Sequence, residues 1–264
     1  MIRLIFTDVD GTLVGTAGDV HPAVWDAAER ARRAGIRLAI CSGRPAFGVT
    51  RAFADRLQGD GWHVFQNGAS VLHLPTGGSL SARLAPEIVA MLVARARAAG
   101  RDLELYTDTT YAVERDSPRA RQHAELLGLA FETRPFESIG DHVVRAQWLL
   151  TDEEADAVLA EPHPGLEVSP STSPMMPGMR FVNLTPSGID KSVAVRAVAG
   201  EYGVLLDEVM FVGDGYNDAT AMRAVGFPVA MANAEPEARE AASLSVGHVD
   251  DGGLAEAIEL ALRG

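Results

Sequence analysis

The chain has little cysteine, almost no lysine, few aromatics and no long apolar run. Its 264 residues include one cysteine, Cys41, so no disulfide can form within it, and a reducing compartment fits. No stretch approaches the ~20 apolar residues needed to span a bilayer. The apolar start over residues 1–6 is too short for a secretory signal, so a cytoplasmic protein is expected. Positive charge is scarce: 23 basic residues stand against 36 acidic ones, a net charge of −13. A field of that sign repels nucleic-acid backbones and anionic membranes, which removes both as expected partners. Any attraction for an anionic ligand must be built locally. Of the basic residues, 22 are arginine and only Lys191 is lysine. A compact ammonium differs from a planar guanidinium fork, so one retained ammonium is suggestive, though chance alone could leave it.

What is present is ordinary globular material, 47% apolar and 22% charged. Residues 2–7 read as a buried strand, 22–34 as a helix, 36–41 as a second strand and 45–57 as a helix with Pro45 in its first turn. Short strands follow at 64–65 and 70–73. This alternation implies a mostly parallel α/β sheet with helices on both faces, a Rossmann-like core. The middle of the chain mixes helices (86–99, 117–127, 152–160) with strands (103–106, 111–114, 143–150, 166–169, 180–184), as an α+β module would. A Ser/Pro/Met-rich stretch, 170–177, separates the last two strands. From residue 186 the first rhythm returns: helix 191–202, strand 208–212, helix 219–225, strand 228–231, helices 236–242 and 254–262. The expected organisation is a core of 1–81 plus 186–264 with a cap inserted at 82–185.

Parallel α/β sheets place ligands at the carboxyl ends of their strands, and four polar clusters fall at such strand ends or at helix starts. Asp8-Val9-Asp10-Gly11-Thr12 follows the first strand. Its two carboxylates repel unless a cation or shared proton compensates, and a hard dication such as Mg²⁺ suits oxygen ligands. A surface Asp-Gly turn accounts for Asp10 and Gly11 but not for Asp8. Ser42-Gly43-Arg44-Pro45 follows the second strand and is expected to open a helix, where free N–H groups can hold a phosphate. Taken singly, an ordinary helix cap is the better reading of that segment. Lys191 opens a helix, but Asp190 before it is not the glycine of a P-loop. Gly213-Asp214-Gly215-Tyr216-Asn217-Asp218 joins a strand to a helix, and its two carboxylates argue against a dinucleotide loop. Together, two acidic clusters, a Ser/Arg segment and one lysine describe a metal–phosphate site.

The ordered motifs Asp8-x-Asp10-Gly11-Thr12, Ser42, Lys191 and Gly213-Asp214-x-x-Asn217-Asp218 resemble those of the haloacid dehalogenase-like hydrolases, specifically the Cof-type phosphatase branch. Ser42-Gly43-Arg44, Asn67-Gly68-Ala69, Ala230-Met231-x-Asn233-Ala234 and Asp251-Gly252 extend the resemblance over both core segments. The cap matches in size and position more than in sequence. The resemblance implies that Asp8 is the nucleophile forming an aspartyl-phosphate and Asp10 the acid/base. It implies Mg²⁺ held by Asp8, the Asp10 backbone carbonyl, Asp214 and, through water, Asp218. Ser42, Lys191 and Asn217 would clamp phosphate, with Gly43 and Arg44 beside them and Arg44 near the leaving group. Ser192 after the lysine and Ala232 depart from common glycines, outside the reacting groups. The expected activity is hydrolysis of small phosphomonoesters, sugar phosphates first, by a monomer or small homo-oligomer. A sugar phosphomutase of the same fold and a non-catalytic phospho-binding module are the alternatives. Cys41, Trp25 and Trp148 read as core residues, Trp62 as a loop or interface residue, and Met175, Met176 and Met179 as flexible surface filler.

Overall fold

The computed structural model describes residues 1–173 and 175–263. Pro174, inside the Ser/Pro/Met-rich stretch, and Gly264, at the end of the expected second core segment, lie outside the described residues. The chain forms two compact units. One contains Met1–Arg44, Thr50–Leu80 and the residues from Asp190 onward; the other contains Pro45–Val49 and Ser81–Ile189.

The first unit begins with β1 (Leu4–Thr7), α1 (Pro22–Arg33), β2 (Arg37–Ile40), α2 (Val49–Gln58), β3 (Trp62–Phe65), β4 (Ser70–His73) and β5 (Gly78–Ser79). The second unit supplies α3 (Pro86–Ala99), β6 (Asp102–Tyr106), β7 (Tyr111–Val113), α4 (Pro118–Leu126), β8 (Arg145–Thr151), α5 (Asp152–Leu159), β9 (Leu166–Thr172) and β10 (Met179–Pro186). The chain then returns through α6 (Lys191–Glu201), β11 (Val209–Gly213), α7 (Ala219–Met222), β12 (Phe227–Ala230), α8 (Pro236–Ala241), β13 (Leu244–Ser245) and α9 (Gly253–Arg263).

A parallel sheet of order β13-β12-β11-β1-β2 forms the first unit's centre. Every residue of β1 and β11 is buried, as expected of strands covered on both faces. Phe6 and Phe211 stack at 6.4 Å between ring centres, among Val195 and Val198 of α6. In register, Thr7 lies beside both Val212 and Ile40, so the three strands end level. The chain passes from β1 to β2 on one side and later lays β11 on the other. The strand order therefore reverses between β1 and β11, where α/β folds bind ligands.

The edge strand β2 has its outward N–H groups covered by side chains. Leu38 N–H donates to Gln58 Oε1 at 2.6 Å and Ile40 N–H to His63 Nδ1 at 3.0 Å. His63 Nε2–H donates in turn to the Gln58 carbonyl at 2.8 Å. These partners fix one neutral tautomer, since an amide only donates and a carbonyl only accepts. Burial pushes the imidazole down to about 4, outweighing the raising effect of the bond to Gln58. The unfolded chain binds this proton near pH 6.5 and the folded chain only near 4. The contribution to stability is thus complete above ~6.5 and lost as pH falls toward ~4, about 3 kcal/mol in all. An NMR titration should place the His63 midpoint near 4; a midpoint near 6.5 contradicts this account.

The second unit is built on an antiparallel sheet, β7-β6-β8-β10-β9. Its strands alternate with period two. Leu103, Leu105, Trp148 and Leu150 pack with α3 and α5, while Tyr106 and Leu149 join a separate cluster with Phe47.

Several expectations need correction. Residues 45–57 are not one helix: α2 starts at Val49. Gly48 has φ +63°, and Phe47 stacks on Tyr106 and Tyr111 at 6.2 and 6.1 Å. That packing, with the left-handed glycine, outweighs Pro45's suitability for a first helical turn. Residues 62–79 form a small antiparallel sheet of their own, β3-β4-β5. Trp25 is half-buried under the Arg56 guanidinium, 4.1 Å from its ring centre. Trp62 sits within β3, its ring 5.1 Å from that of His73. Met176 is buried, unlike the exposed Met175. Residues 170–172 extend β9 rather than starting a loop.

Candidate active site

The carboxyl ends of β1 and β11 deliver the acidic residues together. Asp8 follows β1 directly, its N–H donating to the Val212 carbonyl at 3.0 Å, so the ladder continues one residue past the strand. Asp214 follows Gly213 at the end of β11. Asp218 closes a single 3₁₀ turn, Tyr216–Asp218, before the short α7. The expected helix over 219–225 is thus shorter, and Asn217 and Asp218 belong to the turn that precedes it. Asp218 Oδ2 accepts the N–H groups of Asp214 and Gly215 at 3.0 and 2.9 Å, which fixes the loop that carries both acids.

Lys191 joins these acids from α6. Asp190 caps that helix by accepting the Val193 N–H at 3.0 Å. The Lys191 Nζ donates to Asp8 Oδ1 at 2.7 Å and to Asp218 Oδ1 at 2.6 Å. The lysine and Asp218 side chains are 0% exposed and that of Asp8 is 8% exposed. One ammonium therefore sits buried between two carboxylates, and oxygens of Asp8, Asp214 and Asp218 lie within 4.8 Å of one another.

The electrostatics follow from that crowding. Burial raises the Asp8 carboxyl well above its ordinary range; Lys191 lowers it, while Asp218, Asp214 and Asp10 push it further up. Burial also raises Asp214, to about 7, against the lowering hydrogen bond from Thr12. The Thr12 hydroxyl donates to Asp214 Oδ1 at 2.6 Å. Burial alone would pull Lys191 down, but Asp218 and Asp8 more than reverse this, so it stays an ammonium. Three carboxylates with one lysine leave an excess of negative charge. All their atoms are hard oxygen donors, the set a small dication prefers.

The remaining sequence candidates sit around this centre. Asp10 turns its carboxylate to Arg44, whose Nε and Nη2 donate to Oδ2 and Oδ1 at 2.9 and 2.5 Å. That carboxylate is 61% exposed and stands outside the cluster of Asp8, Asp214 and Asp218. Ser42 is buried and its Oγ accepts the Arg44 N–H at 3.1 Å. Because α2 begins only at Val49, the Ser42-Gly43-Arg44 segment does not sit at a helix N-terminus, and the argument from the free N–H groups of a helix start lapses. Asn217 Nδ2 donates to Asn67 Oδ1 at 2.9 Å. Asn233 Nδ2 donates to the Gly11 carbonyl at 2.7 Å. Sequence reasoning quoted Thr12, Asn67 and Asn233 within motifs but gave them no task. Only their spacing in those motifs signalled them. Cys41 is buried, and desolvation pushes its thiol up, which suits a packing role.

Comparison with known proteins identifies the family. A model of haloacid dehalogenase-like hydrolases matches residues 5–258. YxeH of Bacillus subtilis, provisionally described as a phosphatase, is 28% identical over 98% of this chain and 97% of its own length. From the same organism, the 5-amino-6-(5-phospho-D-ribitylamino)uracil phosphatase YwtE is 25% identical over 100% of this chain and 99% of its own. The crystal structure of a haloacid dehalogenase-like hydrolase from Bacteroides thetaiotaomicron superposes with a TM-score of 0.85 at 27% identity, covering 98% of this chain and 99% of that one. The chain belongs to the haloacid dehalogenase-like hydrolase family, in its Cof-type phosphatase branch.

Proposed function

We propose that the protein is a Mg²⁺-dependent phosphatase of small phosphomonoesters, sugar phosphates first among them, that carries the phosphoryl group on Asp8. The observation that supports this best is the grouping of buried Asp8 and Asp218, both paired with Lys191, with half-buried Asp214 at the switch point of a parallel sheet. Asp8, Asp214 and, through a water molecule, Asp218 would hold the ion, with the Asp10 backbone carbonyl as a further ligand. Bound Mg²⁺ would offset the carboxylate charge and polarise the phosphoryl oxygens.

The chain's own groups then divide the work. Asp8 supplies the attacking carboxylate oxygen, and Lys191 keeps it oriented and stabilises negative charge on the phosphoryl group in flight. Asp10 carries the proton to the leaving oxygen and later takes one from water, so one carboxyl serves both halves. Its fork with Arg44 aims it and keeps a cation beside the leaving group. Ser42, the Gly43 backbone and Asn217 bind phosphate oxygens. The insertion expected from sequence, residues 82–185, would serve as the cap that excludes water while Asp8 carries the phosphoryl group. YwtE acts on a phosphorylated ribityl compound by its name, which supports including polyol phosphates beside the sugar phosphates.

EDTA is expected to abolish phosphate release from a panel of sugar phosphates, nucleotides and other monoesters, and added Mg²⁺ to restore it. Persistent turnover after complete metal removal would contradict the site. The panel itself should show turnover concentrated on small monoesters.

A further inference from the structure

The loop between β3 and β4 is held in a conformation that side-chain-bearing residues avoid. Gln66 and Asn67 have φ of +54° and +55°, and they are the only non-glycine residues with positive φ among the described residues. Two consecutive left-handed residues persist only where surrounding structure imposes them, and such places cluster at functional sites. The hydrogen bonds show what imposes this one. Gln66 N–H donates to the Arg44 carbonyl and Asn67 N–H to the Ser42 carbonyl, both at 3.0 Å. Asn67 Oδ1 accepts from Asn217 Nδ2 at 2.9 Å. Gly68, at φ +97°, lies so close to α6 that a Cβ there would collide with the Asp190 carbonyl oxygen, one residue before Lys191. One strained loop thus touches the segment carrying Ser42 and Arg44, the turn carrying Asn217 and the start of the helix carrying Lys191.

We infer that Asn67 is a positioning residue that acts through Asn217, holding its amide where a phosphoryl oxygen binds, with the loop as the brace shared by the phosphate-binding elements. The chemistry is that of a half-buried amide pair. Asn67 occupies one side of Asn217, so that side-chain rotation is stopped before the ligand arrives. The inference rests on the phosphatase reading of the site.

The test is a double-mutant cycle with two readouts, ester turnover and the binding of inorganic phosphate with Mg²⁺ by calorimetry. Asn67→Gly removes the amide yet suits the left-handed backbone, so it keeps the loop folded. It should lower kcat/KM about tenfold and weaken phosphate binding by a similar factor, while adding less than about twofold to the loss already caused by Asn217→Ala. Wild-type behaviour of Asn67→Gly, or losses that multiply in the double variant, would overturn the inference. A wild type that binds phosphate but hydrolyses no ester would overturn the phosphatase reading alone, and the phosphate titrations would still judge Asn67. A wild type that does neither overturns both.

Discussion

Asp8→Asn is expected to lower kcat by at least ~10³-fold without unfolding the protein. The substitution preserves size and replaces a nucleophilic carboxylate oxygen by a feeble amide one. The two carboxylates grouped with it are already engaged. Asp214 is occupied by Thr12, and Asp218 accepts from Lys191 and two backbone N–H groups. Folding should survive because the buried lysine keeps Asp218 at 2.6 Å. Removing one of three crowded carboxylates also relieves the burial and repulsion that raise the Asp8 carboxyl above its ordinary range. Kinetics and a thermal melt on the same preparation separate the two effects. Near-normal turnover would contradict the mechanism, and a large fall in Tm would mean that the lost activity reports on folding.

Lys191→Arg is the second large effect, with an expected loss of at least ~10²-fold in kcat. The charge is retained, so the variant tests shape. Lys191 is fully buried, its single nitrogen placed between Asp8 and Asp218 at 2.7 and 2.6 Å. A planar guanidinium cannot converge on both oxygens from that stem, and its extra volume must be accommodated in a packed site. Lys191→Met goes further, leaving two buried carboxylates without their cation, and should cost about 3–5 kcal/mol of stability in urea denaturation. Full activity of Lys191→Arg would show that the lone lysine has no special task. Retained stability of Lys191→Met would show that the ion pairs contribute nothing net.

The parts of the site that sequence made legible are those carried by strand ends. Asp8 and Asp214 follow buried apolar runs, so their convergence could be argued from the parallel sheet before any distance was known. Lys191 stood out by composition alone. What stayed hidden depends on tertiary contact. Pro45 looked like a helix start because local propensity favours it there, yet Phe47 packs on two tyrosines and Gly48 turns left-handed. Asn67-Gly68 is a turn pair and signals a bend locally, but nothing in Gln66 favours its left-handed backbone; the contacts to Ser42, Arg44 and Asn217 hold the two-residue bend. Similarly, Asn233 and Thr12 become parts of the site only when β1 and β11 lie side by side. His63, just outside the strand expected at 64–65, shows its task only with Ile40 and Gln58 on its two ring nitrogens.

The central claim is that Asp8 attacks phosphorus and is then relieved by water. Each of those displacements inverts the phosphorus centre, so their sum preserves it. Hydrolysis of a monoester made chiral with oxygen isotopes and sulfur, in water of a third isotope, reads this directly. Net retention of configuration is the predicted result; net inversion would mean that water attacks the substrate in one step and that Asp8 never carries the phosphoryl group.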